Sequence, residues 1–257
     1  MTGMSLFLHS VRQVFGNFNA AVQISIPAAV MMAIMYLMAP GLTTMMVDPS
    51  LVFADQSSNY LFVFLGMVAL ITGILWTAVA WHRYILREEA PAALPAFHGS
   101  AMLNYLGWSI MLGVIMALVG MLIGGILGIV LGVLGFGLEA IARWAPILVI
   151  VPVTYLTYRL SLILPARALG DNLRLEQSWK ATEAASNAIL GLSVIALAVG
   201  IVVDLFLMPL FVGRLGATAA LVFFLLYQWV YMMVGISILS TLYGVCIENR
   251  TLVGASD

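Results

Sequence analysis

From Asn104 to Leu138 the chain carries no charged side chain. Written as one α-helix, that stretch would measure about 50 Å at roughly 1.5 Å per residue, against a hydrocarbon layer of roughly 30 Å. Shorter runs of the same kind recur along the sequence. With 63% apolar residues and a mean hydropathy of +1.12, the chain has more hydrophobic surface than a soluble core of 257 residues could hide. An integral membrane protein is therefore expected. Lipid offers no partner to backbone N–H and C=O groups, so only helices and closed barrels span it. Continuous apolar runs without a two-residue alternation exclude the barrel.

The expected fold is an all-α polytopic membrane helical bundle, a single integral domain over residues 1–257. It has six transmembrane helices at about 20–39, 61–82, 105–131, 146–164, 188–212 and 217–246. The third is too long for a perpendicular crossing and must tilt, break or run past the membrane. After it, Glu139 and Arg143 stand four apart before Trp144 and Pro146, the pattern of a short interfacial turn of helix.

Orientation follows from the connections, because Lys and Arg accumulate on the cytoplasmic side. Arg12, Arg83, Arg87, Arg159, Arg167, Arg174, Lys180 and Arg250 fall on one side, and only Arg143 and Arg214 on the other. Both termini are then cytoplasmic and residues 41–59 form an outer loop. No Lys/Arg-rich start with a short apolar stretch and cleavage site opens the chain, so the first span should remain in the mature protein.

Residues 1–19 read as an interfacial amphipathic helix, with Phe7, Val11, Val14, Phe18 and Val22 at steps of three or four. A second such segment is LRLEQSWKATEAASN, residues 173–187. There Leu175, Trp179 and Thr182 would face lipid, and Glu176, Lys180 and Glu183 water. The entries NAAVQIS, NYLGWS and NAILGLS repeat an Asn five or six residues before a Ser, which suggests three repeated hairpins, each led by an interfacial segment.

Four features compete for a functional reading. Gly120, Gly124, Gly128 and Gly132 stand four apart like a glycine zipper, a face for close packing against another helix of the chain or of a second subunit. Arg159 and Asp204 are candidate intramembrane charges: Arg159 could snorkel to the cytoplasmic surface, and Asp204 could pair with Arg214 or Arg143 or serve a transport path. Trp81, His82 and Arg83, with Trp179 and Lys180, look like cytoplasmic interface anchors. His82 with Glu88 or Glu89 could also do acid–base work at a lipid headgroup.

Other chemistry finds little support. His9, His82 and His98 are scattered, and no HExxH or CxxC spacing suggests a metal. Cys246 is a lone cysteine in the last apolar run and reads as a packing residue. No GxSxG turn or comparable nucleophile set is present. A formal charge of -1 without a basic patch argues against nucleic acid. No cofactor is expected.

AWHRYILREE after the second span and YRLSLILPARALGDNLRLEQSWKAT after the fourth together resemble a pattern in uncharacterised bacterial inner-membrane proteins with six spans. These are similar in layout to the membrane region attached to some glycerophosphoryl diester phosphodiesterases. The resemblance covers nearly the whole chain, but its motifs are interface patterns and bring no catalytic residue with them. It implies a multi-pass module of the bacterial inner membrane. In those phosphodiesterases catalysis belongs to a separate soluble domain, which nothing in this sequence could encode. The expected function is a non-enzymatic structural, assembly or regulatory module that binds membrane lipids, another membrane protein or a second copy of itself. The alternative is a transporter or channel-like protein for a small molecule or proton.

Overall fold

A computed structural model of the chain describes residues 1–38, 60–92 and 94–252. Among these residues it is helical, with no strand. In chain order the helices are α1 (Gly3–Gly16), α2 (Phe18–Met38), α3 (Tyr60–Arg87), α4 (Gly99–Val133), α5 (Leu138–Leu160), α6 (Ile163–Leu169), α7 (Leu175–Ala181), α8 (Ser186–Val202) and α9 (Met208–Cys246). A π-helical turn, Val203–Leu207, joins the last two. Six segments are long and apolar enough to cross a membrane: Phe18–Met35, Leu61–Arg87, Gly99–Val133, Leu138–Leu169, Ser186–Phe211 and Leu221–Cys246. The protein is a polytopic membrane bundle. The outer loop expected at residues 41–59 lies outside the described residues.

The long uncharged run is one unbroken helix as far as Val133, followed by a short turn before α5. Only the first half of α4 enters the core, through Met102, Tyr105, Leu112 and Met116. Its second half, with Met121, Leu122 and Ile129 turned outward, stands beside α5 as an apolar hairpin facing lipid. Glu139 and Arg143 are paired at 3.3 Å, but in the first turns of α5 itself and not in a separate interfacial turn. The boundary between the fifth and sixth spans is Gly216, whose φ of 81° and ψ of 171° break α9 in a region open to glycine and strained for other residues. The π-turn before it carries Asp204. The side chain of Asp204 and its expected pairing with Arg214 lie outside what is described.

Close backbone packing occurs at glycines that belong to no regular repeat. A Cβ placed on Gly73 of α3 would meet Pro27 O at 2.7 Å, Met31 Cβ at 2.9 Å and Ala28 Cα at 3.0 Å. One placed on Gly3 would meet Leu192 N at 2.3 Å and Gly191 C at 2.5 Å. These glycines seat α3 on α2 and α1 on α8. The expected zipper face behaves differently. Gly120, Gly124, Gly128 and Gly132 do turn toward α5, but added Cβ atoms would lie 3.6 to 4.0 Å from Val153, Val149 and Ile141, which is ordinary van der Waals contact. The helices there are not close enough to require glycine.

The first helix also departs from expectation. Thr2 and Ser5 form a capping box at its start. From there α1 packs on the bundle through Gly3, Leu6, Ser10 and Val14, while Met4, Leu8 and Phe15 are exposed. Val14, expected in the lipid-facing set, is wholly buried, because the stripe against α8 and α9 is set by the small residues Gly3 and Ser10 as much as by the apolar ones. The buried helix α6 fills the space between α3 and α4, with Ile163, Ala166 and Ala168 fully enclosed.

Gly73→Ala should cost about 1–3 kcal/mol, the usual penalty for forcing a methyl into a packed contact. Gly124→Ala should leave stability unchanged. Thermal unfolding of both variants in mild detergent separates the two; equal melting temperatures would refute the assignment of the tight contact.

Candidate functional site

Among the described residues, a dense set of polar side chains meets at one end of the bundle, where α1, the ends of α3, α5 and α9, and the short helices α6 and α7 come together. A helix end leaves carbonyls without intrahelical partners, and a cation there is favoured by the helix dipole. Five arginines at this end donate to main-chain carbonyls, four of them in the last turn of a helix. Arg83 Nη1 donates to Ala168 O at 3.1 Å and Arg87 Nη2 to Leu169 O at 2.5 Å, closing the end of α6. Arg250 donates to Ile85 O and Leu86 O of α3 at 3.1 and 2.7 Å. Arg167 Nη2 reaches Leu173 O at 3.2 Å, and the same guanidinium also bonds Asn172.

The fifth is Arg159, a candidate intramembrane charge. It does not snorkel: it is 5% exposed and enclosed by α7. Its Nε donates to Thr182 Oγ1 at 3.1 Å, Nη1 to Tyr155 OH at 3.1 Å and Nη2 to Trp179 O at 2.7 Å. The guanidinium lies 3.6 Å from the centroid of the Trp179 ring, a cation–π contact. Ser178 Oγ returns a bond to Arg159 O at 2.7 Å. Thr182, expected to face lipid, is fully buried for this reason, and Trp179 is turned over the arginine. Lys180 remains exposed and pairs with Glu176 at 2.7 Å.

Trp81 and His82 are not interface anchors. Both are fully buried, because α3 continues beyond the expected span end to Arg87. Trp81 Nε1 donates to Ser237 Oγ at 2.8 Å. His82 Nδ1 lies 2.9 Å from Ser240 Oγ, and Nε2 lies 3.3 Å from Tyr105 OH. Ser240 Oγ is also 3.2 Å from Ile236 O. A ring with its proton on Nδ1 satisfies the whole set: Nδ1–H donates to Ser240, Ser240 donates to Ile236 O, and Tyr105 donates to Nε2. Ser10 Oγ and Thr241 Oγ1, 3.1 Å apart, extend the seam to α1. The hydroxyl run Ser237, Ser240, Thr241, spaced for one helix face, was the signal in the sequence for this seam.

The expected acid–base pairing of His82 with Glu88 or Glu89 is therefore not formed. Glu89 instead accepts from Arg83 Nε at 2.9 Å and Nη2 at 2.5 Å. That guanidinium holds the Glu89 carboxyl below its ordinary value of 4.5, against the weaker opposing effect of partial burial. Among the described residues no three His, Cys, Asp or Glu side chains stand close enough to hold a metal. Cys246 is half-buried and unbonded to sulfur.

One cleft at this end is open. About 510 Å³ in volume, it lies between α1, the last turns of α3 and α9, and the residues after α9. His9, Arg12, Gln13, Asn17, Thr241 and Arg250 supply its polar lining. Arg250 is half-neutralised by Glu248, whose Oε2 is 2.6 Å from Arg250 Nε, whereas Arg12 is exposed and makes no ion pair among the described residues. No protein family, curated protein or solved structure matches the chain.

Two outcomes follow from this geometry. Arg159→Leu should lower stability by about 1–3 kcal/mol, since it removes the charge-assisted bonds to Thr182, Tyr155 and Trp179 O together with the stacking on the indole. Arg159→Lys should not rescue it, because an ammonium lacks the fork and the flat face; melting in detergent reads both. For Glu89 the folded-state value is depressed, so the pair's stabilisation is complete above about pH 4.5 and is lost as pH falls through the lower folded value. Glu89→Gln should flatten the acid limb of the stability curve, and an identical limb would remove this pair from it.

Proposed function

We propose that the protein is a non-enzymatic module of the bacterial inner membrane, with its basic end cytoplasmic, that binds an anionic lipid headgroup in the cleft beside α1. The observation that carries this reading is Arg12. Five other arginines at that end are committed to backbone carbonyls, while Arg12 stands exposed on the wall of a polar cleft with no carboxylate paired to it among the described residues. His9 and Arg250 line the same space. Position supports a lipid partner: the cleft is built by a helix amphipathic in sequence, at the membrane end richest in positive charge.

The state of two other candidates, His82 and Arg159, also supports a binding role. His82 has both ring nitrogens occupied, and Arg159 is fixed by three donors' worth of bonds and a stacked indole. Neither is free to exchange a proton or ion in the arrangement observed.

Native mass spectrometry after exchange into mixed phosphatidylglycerol and phosphatidylcholine tests the proposal. The protein should retain phosphatidylglycerol preferentially, and Arg12→Gln should reduce that preference about fivefold, the effect of roughly one surface arginine. Equal retention of the two lipids by the unaltered protein would overturn the headgroup assignment.

A further inference from the structure

A second cavity lies on the other side of α1, and its chemistry differs. It measures about 440 Å³ and is enclosed by α1, α5, α8 and α9. Such a volume is in the range of small-molecule and cofactor sites. No charged residue lines it. Its walls are apolar, among them Phe7, Val11, Val230, Val234 and Ile238, and a line of hydroxyls from Thr154, Tyr158 and Ser161 runs along the α5 side.

One unpaired hydroxyl and one glycine mark this space. Ser161 is 1% exposed, yet its hydroxyl has no hydrogen-bond partner among the described residues. A buried hydroxyl left unpaired is costly, most of all where no water is at hand. Gly235, which also lines the cavity, has no neighbour within 4 Å of where its Cβ would stand. Glycine in a helix interior normally repays its conformational cost by letting another helix approach. Here no helix approaches, and what the missing side chain leaves is cavity volume.

Location narrows the occupant. The α9 residues of the wall, Tyr227 to Leu239, lie within the spanning segment Leu221–Cys246. At the rim, Phe15, Val199 and Tyr231 are 47%, 37% and 61% exposed, so the mouth opens sideways at membrane depth. A charged or water-soluble ligand would have to cross hydrocarbon to reach it. We propose that this cavity holds one acyl chain of a bilayer lipid, with the lipid's ester carbonyl accepting a hydrogen bond from Ser161. The site is separate from the anionic cleft: α1 presents Phe7, Val11 and Phe15 to one, and His9, Arg12 and Gln13 to the other.

The experiment uses the full chain in nanodiscs of phosphatidylcholine doped with a phosphatidylcholine carrying a diazirine on one acyl chain. After irradiation, adducts are mapped by peptide mass spectrometry. Labelling of Val230, Val234 and Ile238 should exceed that of the outward-facing Met121 and Leu122, and Gly235→Leu should bring it down to their level. Ala196→Leu fills the same cavity from α8 and serves if Gly235→Leu fails to fold. Ser161→Ala should weaken retention of the ester lipid by up to about tenfold, the limit for one neutral hydrogen bond. It should leave retention of the ether-linked analogue, which has no carbonyl, unchanged. Labelling no stronger in the cavity than on α4, or unaffected by both filling variants, would overturn the site. Equal effects of Ser161→Ala on the ester and ether lipids would overturn the role of the hydroxyl. Arg12→Gln should not alter the labelling, so failure of the anionic cleft and failure of this site give different results.

Discussion

A helix that leaves the bilayer ends in carbonyls that lipid cannot satisfy, and in this protein arginine satisfies them. Arg83, Arg87, Arg159 and Arg250 each donate to main-chain oxygens in the last turn of a helix, and Arg167 to the loop carbonyl of Leu173. Charge-assisted bonds of this kind contribute about 1.5–3 kcal/mol each, more than surface ion pairs do. They also fix geometry. The end of α3 is tied to α6 by Arg83 and Arg87 and to the residues after α9 by Arg250, so three parts of the chain share one closed polar layer. The open cleft at Arg12 and the buried seam around His82 exist because this layer holds the helix ends apart at fixed positions.

The same economy explains which charges are free. In a chain with so few charged residues, an arginine that is not committed to the fold and lines a cleft becomes informative. Exposed pairs such as Lys180 with Glu176 and Arg143 with Glu139 contribute little and report mainly on solvation. Arg12 differs by facing a cavity.

How much of this was legible in the sequence depends on the length scale of each signal. The spans were legible because hydrocarbon thickness fixes a run of about twenty residues, and apolar composition marks it. The same reasoning misplaced Trp81 and His82. It ends a span where polar residues begin, whereas α3 runs on to Arg87 inside protein, and a histidine there is satisfied by Ser240 and Tyr105 from distant parts of the chain. Arg159 was legible as unusual but not as stacked, since its partners Trp179 and Thr182 lie beyond a helix and a turn. The glycine spacing in α4 was regular and still did not mark the tightest contact, because Gly73 and Gly3 are each set opposite one particular backbone, a matter of three-dimensional register that a periodicity cannot carry.

The seam along α9 has a consequence for how the protein is made. Trp81 meets Ser237, His82 meets Ser240, and Ser10 meets Thr241, across separations of 156, 158 and 231 residues. During synthesis α1 and the second span are complete while the last span, which will satisfy their hydroxyl, indole and imidazole, does not yet exist. The last span is thus a keystone. Until it is in place, Trp81, His82 and Ser10 lack the hydroxyl partners that the finished bundle gives them.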